Sequence, residues 1–209
     1  MIVLGIDPGS RRCGYGVVAR QGGRLVVLES GVLAPGDRPM PERLGAILTG
    51  LSELIRRTRP QEVSVEQVFS GTSARSALVL GQARGVALAA AAQAGLVVHE
   101  YAPAEVKLAF TGSGRASKDQ MLRTARLLLG ATPRLADEAD ALAIAVCHLS
   151  RRRALAAVPA RVAAPGARGA GPAAAAPARG RTLPRAAKPP PEVLARLRPS
   201  RRDHRRAAP

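Results

Sequence analysis

Cysteine is scarce in this chain, with only two, Cys13 and Cys147, among 209 residues. They form no CxxC motif and have no metal-ligand spacing, which excludes a cysteine-based metal site. We expect both to be reduced thiols that serve as small core residues, the usual role of an isolated cysteine. Reduced thiols in turn predict a cytoplasmic protein.

Long apolar runs are also absent. The longest apolar stretch, residues 86–98, is too short to cross a bilayer, which needs about 20 apolar residues in a helix. No basic amphipathic helix of the kind that lies on membranes is evident. The first residues form a strand-like apolar run without the basic segment of a signal peptide. These absences argue against a membrane protein and against secretion.

Acidic residues are almost missing from the last part of the chain. The net charge is +17, yet residues 1–150 hold 17 Lys/Arg and 13 Asp/Glu, whereas residues 151–209 hold 15 and 2. From residue 154 on, periodicity gives way to Ala, Pro, Arg and Gly. We therefore predict a folded domain over residues 1–153 and a disordered basic tail over residues 154–209. The pI near 11.7 favours a polyanionic partner, nucleic acid rather than membrane.

The spacing of apolar residues in the first part predicts an α/β fold with a mixed sheet. Three strand-like runs come first, and Gly22-Gly23 supplies a hairpin turn between the second and the third. Helices and strands follow in alternation. The predicted strands are residues 1–6, 14–19, 24–33, 62–66 and 96–101, and the predicted helices are residues 39–57, 73–94, 104–109, 118–129 and 137–152. In this layout the first and fourth strands are neighbours.

Four carboxylates stand where a divalent-metal nuclease would need them. Asp7 and Glu66 each close an apolar strand-like run, and Asp137 and Asp140 open an apolar helix on which they share a face. A carboxylate at the end of a buried strand costs free energy unless it is paired or binds a cation. If the helix packs across the same end of the sheet, the four side chains converge on a site suited to two Mg²⁺ ions and a phosphodiester.

Each of these carboxylates also has a structural interpretation. Asp7, which precedes Pro-Gly, could be a turn residue. Asp137 could be a helix N-cap, and Asp140 a first-turn charge that matches the helix dipole. We assign Glu138 to that last role, because it points off the shared face. The order and flanks of the four residues together favour the metal site.

Five short segments carry a family resemblance: GIDPGS at residues 5–10, GYG at 14–16, EQVF at 66–69, LGQARGVA at 80–87 and DEADALA at 137–143. Together they resemble the bacterial Holliday junction resolvases of the RuvC family, over roughly residues 1–150 with the spacing preserved. The resemblance implies an RNase H-like fold: a mixed five-stranded sheet flanked by helices. It also implies a homodimer that makes paired symmetric nicks at four-way DNA junctions in homologous recombination and DNA repair.

The same resemblance implies cofactors, partners and residue roles. It assigns catalysis and metal binding to Asp7, Glu66, Asp137 and Asp140, with two Mg²⁺ ions per active site and Mn²⁺ as an alternative ion. The family works with the branch-migration complex RuvA–RuvB, which we expect as a partner beside four-way junction DNA.

DNA contacts are expected from four further residues. The resemblance suggests that Phe69 stacks on an unpaired base near the crossover and that Lys107 and Lys118 contact DNA. Arg75 compensates for the lack of other basic residues after Phe69. The alternatives are a core phenylalanine and solvated surface lysines. Small residues along the predicted helix 73–94 mark it as a candidate dimer contact, with burial against its own sheet as the alternative.

Three other functions remain open at this stage. A different RNase H-like nuclease acting on structured RNA would share the first-strand Asp-Pro-Gly but would not be expected to carry Phe69 or residues 82–87. A sugar-kinase or actin-like ATPase would need a second domain, for which the chain is too short. A non-catalytic basic DNA-binding protein would depend chiefly on the tail.

Overall fold

The computed structural model describes residues 1–67 and 73–157, with side chains of the second segment as far as residue 153. Phe69 lies outside the described residues. The predicted disordered tail begins at residue 154, but residues 154–157 still belong to the last helix; from residue 158 on, the tail lies outside the described residues. The stacking role of Phe69 and the disorder of the tail therefore stay predictions.

The five strands form one mixed sheet in the order β3-β2-β1-β4-β5. The first three pair antiparallel, whereas β4 is parallel to β1 and β5 is parallel to β4. The strands are β1 Ile2–Asp7, β2 Cys13–Gln21, β3 Arg24–Leu33, β4 Glu62–Glu66 and β5 Val97–Tyr101. Gly22 and Gly23 have φ of 50° and 87° and form the predicted hairpin turn. The mixed sheet and the pairing of the first and fourth strands are confirmed.

Across residues 1–67 and 73–157, five helices cover the two faces of the sheet. They are α1 Met40–Thr58, α2 Ala74–Gln93, α3 Pro103–Thr111, α4 Lys118–Leu129 and α5 Ala136–Ala157. Helices α1 and α2 pack on the face that carries Leu4 and Ile6 of β1, whereas α3, α4 and α5 pack on the face that carries Val3. Helix α3 begins one residue earlier than predicted, because Pro103 suits the first turn of a helix. It ends two residues later than predicted, at Thr111.

Local signals fix the helix ends. The Ser117 hydroxyl accepts a hydrogen bond from the backbone N–H of Gln120, and the side-chain oxygen of Gln120 accepts one from the backbone N–H of Ser117. The two bonds form a complete capping box at the start of α4. Gly130 ends the same helix in the left-handed conformation, as predicted. Both Cys13 and Cys147 are buried and free, so their predicted role as core thiols is confirmed. Within the described ranges, no helix has the length and apolar character needed to cross a membrane.

Helix α5 lies unusually close to the middle of the sheet, because three glycines leave room for it. A Cβ atom at Gly5 would lie 2.1 Å from the carbonyl oxygen of Ala141, and one at Gly14 would lie 2.0 Å from that of Asp137. A Cβ atom at Gly16 would lie 2.9 Å from Cα of Leu142. The backbone of α5 is therefore in direct contact with β1 and β2, and its first turns are held against the end of β1.

We expect Gly5→Ala to destabilise the fold, because the added methyl would meet backbone atoms that no rotamer change can move. The expected loss is about 1–3 kcal/mol in the free energy of unfolding, the usual cost of overpacking. Urea unfolding would measure it. The matched control is Gly45→Ala in α1, where a Cβ atom meets nothing within 4 Å and a stabilisation of about 0.5–1 kcal/mol is expected. Equal effects of both substitutions would contradict the close contact between α5 and β1.

Candidate active site

Asp7 and Glu66 lie side by side at one edge of the sheet. Strands β1 and β4 run parallel, and the last register pair, Ile6 with Val65, places the next residues of the two strands next to each other. Ile6 and Val65 point into the core beneath α1 and α2. Because side chains alternate along a strand, the two carboxylates point to the other face, which α5 covers.

Asp137 and Asp140 reach the same edge from the first turns of α5. The carbonyl oxygen of Asp137 lies over Gly14, which pairs with Asp7 in the antiparallel register of β1 and β2. Ala139 between the two acids is fully buried, so α5 enters the protein at this point. We call Asp7, Glu66, Asp137 and Asp140 the carboxylate cluster.

Glu138 has a separate role, as predicted. Its side chain accepts a hydrogen bond of 2.7 Å from the Ser30 hydroxyl and one of 3.0 Å from the Arg134 amide. These contacts attach the start of α5 to β3 and to the preceding loop. The carboxylate is therefore satisfied by hydrogen bonds on a different side of the helix from Asp137 and Asp140.

The members of the carboxylate cluster strongly perturb one another. Burial, and then the charges of Glu66, Asp140 and Asp137, raise the pKa of Asp7 from 3.8 to about 8. Burial and then Asp140 raise the pKa of Glu66 from 4.5 to about 7. Burial and then Asp137 raise the pKa of Asp140. Without a cation, the site therefore resists holding all of its negative charges at neutral pH.

Two lysines lie close enough to counteract this repulsion. Lys107 of α3 lowers the pKa of Glu66 and Asp140, and Lys118 at the start of α4 lowers the pKa of Asp7 and Asp140. Lys107 is half-buried and Lys118 is exposed. Their ammonium groups therefore border the carboxylate cluster from two different helices, at positions from which they could contact a phosphate.

Arg75 does not border the carboxylate cluster in the way the two lysines do. Arg75 is exposed in the first turn of α2, two residues after the N-cap Ser73, and is not among the charges that shift the pKa of Asp7, Glu66 or Asp140. Its predicted DNA contact stays a prediction. The segment between Glu66 and Arg75 includes Phe69, which is outside the described residues.

The donor set of the carboxylate cluster fits a hard divalent cation. It offers only oxygen atoms, which Mg²⁺ prefers, and its residues come from two strand ends and a helix. The raised pKa values of Asp7 and Glu66 show an excess of negative charge that a divalent ion would neutralise. Bound cations commonly invert the local pKa pattern in this way.

A second group of potential metal ligands was missed by the sequence analysis. Glu62 of β4, His99 of β5 and His148 of α5 each offer one ligand atom, and these atoms all lie within 4.8 Å of one another. We call them the histidine cluster. The one feature of the sequence that could have drawn attention to this group is the scarcity of histidine, since the chain has only three. Their meeting depends on strand register and on the position of α5, neither of which the sequence displays.

Comparison with known proteins places the chain among junction-cutting nucleases. The family model of the crossover junction endodeoxyribonuclease RuvC matches residues 3–148. A crossover junction endodeoxyribonuclease RuvC from Anaeromyxobacter sp. (strain Fw109-5) is 69% identical over 211 residues, 98% of this chain and 98% of the relative. Its counterpart from Citrifermentans bemidjiense is 50% identical over 151 residues, 71% of this chain and 92% of the relative.

A solved structure agrees in fold and sequence. The RuvC of T. thermophilus, in complex with a Holliday junction substrate, superposes with a TM-score of 0.69 at 39% identity, over 74% of this chain and 96% of that one. The Anaeromyxobacter relative aligns over 98% of this chain and therefore extends well into the basic tail.

The raised pKa of Asp7 predicts a pH-dependent stability in the absence of metal. Its value in the folded protein, about 8, exceeds its ordinary value of 3.8, so the folded state retains a proton that the unfolded chain releases. The resulting stabilisation is fully present below pH 3.8, the ordinary pKa, and is lost as pH rises through about 8, the pKa in the folded protein. We expect the Tm measured in EDTA to fall between about pH 4 and about pH 8.

Asp7→Asn should reduce this fall, because it removes the titrating group and one of the repelling charges. The control Glu53→Gln removes an exposed carboxylate of α1 and should leave the pH profile unchanged. Adding Mg²⁺ should raise the Tm of the original protein more at the alkaline end, where the ligands are ionised. Identical pH profiles for Asp7→Asn and Glu53→Gln would contradict the assignment of this titration to Asp7.

Proposed function

The chain belongs to the RuvC family of crossover junction endodeoxyribonucleases, and we propose on that basis that it resolves four-way (Holliday) DNA junctions by hydrolysing phosphodiester bonds. The observation that carries the proposal is the carboxylate cluster, which is assembled from three segments that all lie within the family match over residues 3–148. The T. thermophilus relative, bound to a Holliday junction substrate, supports the choice of DNA substrate.

We assign the carboxylate cluster as the catalytic metal site. Asp7 and Glu66 would hold ions from the strand ends, and Asp137 and Asp140 would hold them from α5. Two Mg²⁺ ions, or Mn²⁺ in their place, would activate the attacking water and stabilise the leaving oxygen. The close contact of α5 with Gly14 fixes the spacing between the helix ligands and Asp7, because neither backbone can shift without opening the core.

Lys107 and Lys118 are proposed to hold the backbone of the DNA strand that is cut. Each lies next to a pair of cluster carboxylates, so a phosphate bound to the metal site would also lie near an ammonium group. We propose that Phe69 and Arg75 also contact DNA. Phe69 precedes α2 in the chain, and Arg75 lies in the first turn of α2. Phe69 would stack on an unpaired base at the junction centre, where base faces are exposed.

A homodimer is proposed because a single active site cannot make two symmetric nicks at once. On α2, the small residues Ala83 and Ala87 are buried within the protein, whereas Gly81, Gly85 and Ala89 are exposed. A Cβ atom at Gly81 or Gly85 would meet nothing within 4 Å. This outer stripe of α2 would allow a second copy to approach closely.

The branch-migration complex RuvA–RuvB is the further partner that we propose.

We propose residues 1–153 as the resolvase domain and residues 154–209 as a separate basic extension. The Citrifermentans bemidjiense relative supports this division, since 92% of its length aligns with 71% of this chain. The alternatives of an RNA-directed nuclease and of a non-catalytic DNA-binding protein are not favoured, because the matched family is one of crossover junction nucleases.

Asp7→Asn, Glu66→Gln and Asp140→Asn are each expected to abolish cleavage of a synthetic four-way junction while binding persists. Each substitution removes a metal ligand and leaves the phosphate contacts of the lysines intact. Gel-shift assays would measure binding, and strand-labelled cleavage assays in Mg²⁺ would measure activity, beside linear duplex and structured RNA. Glu53→Gln is the control. Cleavage within about tenfold of the original protein, roughly 1.4 kcal/mol in the barrier, would remove that residue from the ligand set.

Phe69→Ala is expected to lower junction cleavage much more than Phe69→Tyr, because stacking needs only the ring face. Base–aromatic stacking contributes about 1–3 kcal/mol per base. Cleavage rates and Tm would be measured for both variants. Equal losses of activity accompanied by a lower Tm would instead identify Phe69 as a core residue.

A further inference from the structure

The histidine cluster lies at the opposite end of β4 from the proposed catalytic site. Glu62 is the first residue of β4 and Glu66 is the last, so the two side chains are separated by about 13 Å of strand. Glu62 and His99 come from the neighbouring parallel strands β4 and β5, and His148 comes from α5, which crosses both. The three residues thus join the three elements that meet at this end of the sheet.

The distances within the cluster are short. The Oε2 atom of Glu62 lies 2.6 Å from Nε2 of His148 and 3.1 Å from Nε2 of His99. The two imidazole rings have centroids 4.4 Å apart. His148 is completely buried, whereas the side chain of His99 is 34% exposed. One ligand is therefore fixed in the core and another faces the solvent.

We propose that Glu62, His99 and His148 form a second metal site, which binds Zn²⁺ or a similar borderline divalent ion. Two imidazole nitrogens and one carboxylate oxygen are a common zinc ligand set, with a fourth position open to water. Ligand atoms at about 2.0–2.1 Å from a tetrahedral ion are roughly 3.3 Å apart. The 3.1 Å between Glu62 and His99 is close to that value, and the 2.6 Å between Glu62 and His148 would need to open slightly.

The second ring nitrogen of His148 is already held in the way that metal-binding histidines require. Its Nδ1 atom lies 2.7 Å from the Tyr101 hydroxyl, which can either donate or accept a hydrogen bond. Without an ion, Nε2–H donates to Glu62 and the tyrosine donates to Nδ1. With an ion on Nε2, the proton moves to Nδ1 and is donated to the tyrosine oxygen. Such a partner orients the ring and strengthens the ligand.

Arg152 is the competing cation at this site. Its Nη2 atom lies 3.0 Å from Oε1 of Glu62, the carboxylate oxygen that does not contact the histidines. The Arg152 side chain is half-exposed, so it can swing away or remain on Oε1 while Oε2 binds the ion. Arg152 keeps the carboxylate paired in the metal-free protein and lowers the affinity for the ion.

The ligand atoms of the histidine cluster distinguish it from the carboxylate cluster, the proposed catalytic site. Imidazole nitrogen suits zinc and other late divalent metals, whereas Mg²⁺ takes oxygen ligands and would occupy the carboxylate cluster. A metal bound by β4, β5 and α5 would attach the far end of α5 to the sheet. Its role would be structural, and it would not take part in cleavage.

The test is zinc binding by the full-length protein in excess Mg²⁺, measured by competition with a chromophoric chelator. Cobalt absorption would serve as a second readout, because Co²⁺ bound to a tetrahedral site absorbs visible light. We expect one Zn²⁺ per chain and a rise in Tm on binding. His99→Gln should weaken zinc affinity by at least about tenfold, and Tyr101→Phe by about 10–100-fold, as for other partners of metal-binding histidines. Cleavage of junctions in Mg²⁺ by His99→Gln should be unchanged.

Two controls make the result decisive. His204→Gln removes the only other histidine in the chain, and Asp7→Asn disables the carboxylate cluster; both should retain the zinc. His99 is partly exposed, so its variant should fold even if a substitution of the buried His148 does not. The proposal is overturned if the original protein binds no zinc, or if His99→Gln binds it as tightly. It is also overturned if Asp7→Asn loses the zinc. None of these outcomes bears on junction cleavage.

Discussion

The contact between the backbone of α5 and the glycines of β1 and β2 is the constraint on which the rest of the structure depends. Carbonyl oxygens of the helix occupy the space where Gly5 and Gly14 would otherwise carry side chains. This contact excludes water from the middle of the sheet and makes residues 141–147 of α5 the centre of one core. It also sets the distance between Asp137 on the helix and Asp7 on the strand. The packing of α5 and the proposed catalytic site therefore share one geometric requirement.

The carboxylate cluster shows why this rigidity is needed. Burial and mutual repulsion raise the pKa of Asp7 to about 8 and that of Glu66 to about 7, so the site is under electrostatic strain without a cation. Freely moving side chains would relieve the repulsion by turning apart. Because two carboxylates end buried strands and two lie on a helix in backbone contact with the sheet, the backbones that carry them cannot separate. At the proposed metal site, the free energy of metal binding would offset the cost of holding them together.

The sequence predicted the parts of the site that depend on local order. Asp7 and Glu66 end apolar strand runs, and Asp137 and Asp140 share one face of a helix. Helical periodicity alone predicted that Glu138 points away from the face that Asp137 and Asp140 share. The side of α2 that faces the sheet could not be predicted, because Ala83 and Gly81 are both small, and only the packing shows that one is buried and the other exposed.

The histidine cluster was beyond prediction for a related reason. Glu62, His99 and His148 are separated by 37 and 49 residues, and each has an ordinary environment in its own segment. They meet only because β4 and β5 pair in one particular parallel register and because α5 stays close to the sheet as far as Leu149. The same glycine contact that brings the acidic end of α5 to Asp7 thus brings its other end to Glu62. A shift of α5 that disturbed one cluster would disturb the other, so an ion at the far end would resist movements of the helix that carries two of the proposed catalytic ligands.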